Sequence, residues 1–114
     1  MSLKKEIERL TPEDGISFLE LLAHNLTIAV RIVSSRREPY GELTEEQVRN
    51  SMYWINEALH NVVQLTRDLR IGRQNWEAND IHRWLELWLG YKHAGQDIDT
   101  AIKRTLNELS RNGI

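Results

Sequence analysis

The chain has 114 residues, no Cys and a formal net charge of −2. That length suits one domain, and the charge gives no broad electrostatic footprint for DNA or RNA. The lack of Cys excludes disulfides, thiolate metal sites and a Cys nucleophile, and it is compatible with the reducing cytoplasm expected as the compartment.

Residues 1–10 read as a short N-terminal arm, with Leu3, Ile7 and Leu10 at helical spacing. Lys4, Lys5, Glu6, Glu8 and Arg9 occupy the place that a signal peptide would fill with apolar residues. Thr11-Pro12-Glu13-Asp14 is the first firm helix start. Thr11 can cap, Pro12 suits the first helical position, and the two acids favour the positive end of the dipole. This first long helix is expected to run to about Ser35, ahead of a loop that contains Pro39 and Gly41. Its apolar stretch is interrupted by Glu20, His24, Asn25 and Arg31, so no membrane span is expected.

Thr44-Glu45-Glu46-Gln47 has the form of a capping box, and Leu43 and Val48 can staple across it. From there Val48, Met52, Ile55, Leu59, Val62, Thr66 and Leu69 step by fours and threes to Gly72, the seam of a bundle helix. Asn75 is the expected cap of a third long helix with Ala78, Ile81, Trp84, Leu85 and Trp88 inward, closed by Gly95. Asp97 is expected to start the last helix, which carries Ile98, Ala101, Ile102, Thr105, Leu106 and Leu109 and ends at an Asn112-Gly113 cap. The short connections predict antiparallel neighbours. The expected fold is therefore all-α: an up-and-down-like antiparallel bundle of four principal helices over residues 11–114, preceded by the arm.

The first long helix is apolar on two sides. Leu19, Leu22, Leu26, Ala29, Val30 and Val33 form the core face. Leu21, Ile28 and Ile32 form a second face with Phe18 at its edge, and Glu20, His24, Thr27 and Arg31 make one polar stripe. A helix apolar on two sides is buried on two sides, either by its own chain or by another subunit. Trp76, Leu87 and Tyr91 flank the third long helix in a similar way, and Trp and Tyr are enriched at interfaces. These seven apolar residues are the candidate interface of a non-enzymatic interaction protein, expected as a homodimer or with a protein partner.

Two alternatives compete with that reading. Glu20 and His24, with His82, Glu86 and His93 on the third helix, would suit a metal or a small molecule if the two stripes faced each other. Glu57 and His60 match a Glu-x-x-His spacing, but they fall away from the Ile55–Leu59–Val62 seam and lack the second pair that a di-iron bundle needs. Arg36 and Arg37 could contact nucleic acid, although cations at a helix C-terminus have a simpler role against the dipole. No phosphate loop, Gly-x-Ser-x-Gly elbow or His-Glu-x-x-His occurs. No catalytic residue and no cofactor are expected.

Overall fold

A computed structural model describes residues 3–36 and 40–111. Arg37, Glu38, Pro39 and the Asn112-Gly113 cap lie outside the described residues. Five α-helices follow in chain order: α1 (Leu3–Glu8), α2 (Pro12–Ser35), α3 (Glu45–Arg70), α4 (Ala78–Leu89) and α5 (Gly95–Arg111), with a 3-10 turn at Tyr40–Glu42 before α3. No strand occurs among the described residues.

The two longest helices start where local chemistry dictates. Thr11 is extended, and its Oγ1 accepts from Asp14 N at 3.2 Å. At Thr44 both halves of the capping box are made: Gln47 N donates to Thr44 Oγ1 at 3.1 Å, and Thr44 N donates to Gln47 Oε1 at 2.9 Å. Each such cap satisfies donors that the helix leaves without a partner and contributes about 1 kcal/mol. α2 ends at Arg36 in the left-handed conformation (φ 55°), and the Arg36 guanidinium donates to Leu43 O at 2.5 Å across the following loop.

Two expected boundaries are wrong, each for a tertiary reason. Asn75 does not cap α4. Glu77 holds the cap position with extended backbone and makes no side-chain cap bond. The intervening Trp76 lies over Gly15 of α2, where a Cβ would come within 2.4 Å of the indole. That packing fixes the segment independently of the Asn75 side chain. Gly95 does not close α4 either. α4 stops at Leu89 with Gly90 as its C-cap, and Gly95 opens α5 two residues ahead of Asp97. A Cβ on Gly95 would sit 2.1 Å from Leu89 O, so the tight α4–α5 corner requires glycine. His93, within that corner, is left-handed (φ 66°).

α2 packs most extensively on α3 and next on α5, whereas α1 rests on α4 and α4 meets α5. The core therefore gathers around α2, where Phe18, Leu19, Leu22, Leu26 and Val33 are fully buried. Ile55, Ala58 and Val62 of α3, Ile81 and Leu85 of α4, and Ile98 and Ile102 of α5 complete it. Each large side chain in this set contributes roughly 1.5–3 kcal/mol by leaving water. Ile7 of α1 is also fully buried, so the N-terminal helix supplies part of the core.

Candidate functional site

The second apolar face of α2 meets three different environments. Phe18 is a correction to the expected interface: it is fully buried in the chain's own core, since its position on the helix turns it toward Leu22 and away from Leu21 and Ile28. Leu21 and Ile28 are half-buried, and Ile32 is 39% exposed. By length and composition, α2 is also apolar enough to cross a membrane. Core helices of globular folds pass the same test, and a third of this apolar window is buried within the chain.

The aromatic flank divides similarly. Trp76 is half-buried against Gly15, inside the chain's own packing. Tyr91 is half-buried and stacks on Trp54 of α3, with ring centroids 4.5 Å apart and planes tilted by 32°. Burial, followed by the charge of Glu57, pushes the Tyr91 hydroxyl above its usual pKa. Leu87 is 61% exposed and borders a cavity of about 310 Å3 between α3 and α4.

The polar stripes are not brought together. Glu20 pairs with Arg70 of α3, and His82 Nε2 lies 3.1 Å from Glu86 Oε1 within α4. His24, Arg31 and His93 are exposed. α2 and α4, which carry the two stripes, are not among the closely packed helix pairs. Among the described residues no group of three or more His, Asp or Glu side chains is arranged to hold a metal ion.

The structure adds sites that the sequence did not reveal. Tyr40 Oη donates to Asp97 Oδ1 at 2.5 Å, fastening the 3-10 turn to the start of α5. Burial and the Asp97 carboxylate push Tyr40 up to about 12. Burial also raises Asp97, against the opposing effect of the Tyr40 hydrogen bond. Beside this pair, a pocket of about 30 Å3 is bordered by Asn25, Ile32 and Arg104. An open groove of about 480 Å3 runs between α2 and α3, where Ala23 and the exposed Val63 and Ile71 lie beside Arg67 and Arg70. Val63 stands outside the α3 seam, a signal that was present in the sequence. That residues of α3 and α4 border one cavity had no local signal.

Compared with known proteins, the chain matches no family model, and no curated protein or solved structure matches it.

Proposed function

We propose that this chain is a small, non-enzymatic, cytoplasmic interaction module that pairs as a homodimer. In this reading α2 to α5 are the four principal helices of an up-and-down antiparallel bundle and α1 is its arm. The observation that carries the proposal is the incomplete cover of the second face of α2. Ile32 is 39% exposed, and Leu21 and Ile28 are only half-buried. The three lie seven and four residues apart, the step of a helix–helix seam, and span roughly 16 Å along the helix axis. A two-fold axis at such a stripe would let each copy cover the other with the same residues.

Size-exclusion chromatography with light scattering at about 50 μM tests this. A dimer that becomes monomeric in the Ile28→Asp/Ile32→Asp variant is the expected outcome. A wild-type chain that stays strictly monomeric overturns the homodimer reading. The nucleic-acid alternative draws no support from Arg36, whose guanidinium is engaged on Leu43 O. The metal alternative draws none from the two stripes, whose helices α2 and α4 do not pack closely on each other.

A further inference from the structure

The cavity between α3 and α4 has a chemistry of its own. It is bordered by Trp84 and Trp88 of α4, by Asn61, Gln64 and Asp68 of α3, and by Gln74 of the segment between the two helices. At about 310 Å3 the space falls within the range that small ligands occupy. Its lining combines indole surface, two leucines, one carboxylate and three carboxamides.

Asp68 is half-buried, and its Oδ1 accepts from Gln64 Nε2 at 3.2 Å. No cation among the described residues lies within ion-pair distance of it. The nearby Arg67 and Arg70 border the groove on the opposite flank of α3, and Arg70 is already paired with Glu20. A carboxylate without a counterion beside aromatic faces is complementary to an organic cation: the carboxylate attracts the charge, and the indole quadrupoles attract the polarised C–H or N–H groups around it. Amide oxygens of Asn61 and Gln74 can accept from any N–H or O–H that the ligand carries.

We propose that this cavity binds an organic monocation of the alkylammonium class, presented either by a free small molecule or by a lysine side chain of a partner protein. The site is independent of the α2 face and does not rest on the homodimer reading.

Three probes test the proposal on the full chain by tryptophan fluorescence and by amide NMR shifts. They are choline, its neutral isostere 3,3-dimethylbutan-1-ol, and Nα-acetyl-lysine methylamide. Choline is expected to bind saturably in the millimolar range, shifting residues of α3 and α4 around Asp68 and Trp84, with the neutral isostere weaker by about tenfold or more. Asp68→Asn, which preserves shape, is expected to weaken choline by about tenfold, while Arg67→Gln leaves it unchanged. Tighter binding of the lysine derivative assigns the cation to a partner protein, and tighter binding of choline assigns it to a free ligand. Equal binding of choline and the neutral isostere overturns the proposal. So does an absence of saturable shifts at these residues for both cations up to about 50 mM, well above the affinity such contacts supply.

Discussion

Asn25 Nδ2 donates to Thr105 Oγ1 at 2.9 Å, joining α2 to α5 inside the core. Thr105 in turn donates to Ala101 O at 2.7 Å, while Asn25 Oδ1 has no partner among the described residues. Asn25→Asp removes the donor and places a carboxylate in the interior, so it should cost about 3 kcal/mol at neutral pH. Asn25→Leu removes the unpartnered acceptor and leaves Thr105 its donated bond, so it should fall within about 1 kcal/mol of wild type. Urea unfolding midpoints separate the two outcomes.

Gly95 and Gly72 should respond to alanine for different reasons. At Gly95 the added Cβ meets the Leu89 carbonyl, which is backbone and cannot rotate away. The expected loss is about 3 kcal/mol or more. At Gly72 there is open space but φ is +78°, so only the left-handed penalty of about 1–2 kcal/mol applies. Thermal or urea unfolding of the two single variants checks the order.

Gly15 and Trp76 should behave as a coupled pair. Gly15→Ala forces the indole off its seat and should cost about 1–3 kcal/mol. In a Trp76→Ala background the same change should cost much less, because the clashing ring is gone. A double-mutant cycle measures the difference, and simple additivity would show that the indole does not depend on Gly15 for its place.

The Tyr40–Asp97 bond should shape the stability profile at both ends of the pH scale. Tyr40 titrates higher in the folded chain, at about 12 against the usual 10.0. Its contribution is therefore complete below pH 10 and is lost as pH rises from there toward about 12. Tyr40→Phe should remove that part of the alkaline decline in denaturation midpoints. Asp97 is also raised, from its usual 3.8. The folded state thus holds this proton more tightly, and the unfavourable contribution of Asp97 fades as pH falls through its folded value. Asp97→Asn should remove that acid-side component.

The sequence was most informative where structure is local. Thr11 and Thr44 cap helices through partners three residues away, so the starts of α2 and α3 are written into a few neighbouring letters. The start of α4 depends instead on Trp76 reaching Gly15, and the start of α5 depends on Gly95 meeting Leu89. Neither contact leaves a periodic trace. The candidate sites divide in the same way. Leu21, Ile28 and Ile32 share one helix, so their stripe could be read directly. Asp68 and Trp84 lie on separate helices, and only the packing of the chain brings them to one cavity. Phe18 sits at the boundary between two apolar sectors of α2, where helical periodicity alone does not assign a side, and packing turns it inward.

The contact of α1 with α4 has a consequence for how quickly the fold can close. α1 spans Leu3–Glu8 and α4 begins at Ala78, so the two helices that meet lie far apart along the chain. Bringing them together shuts a long loop, and its entropy cost precedes any gain from the contact. Closures of this kind slow folding. α1 is thus expected to be among the last helices to settle.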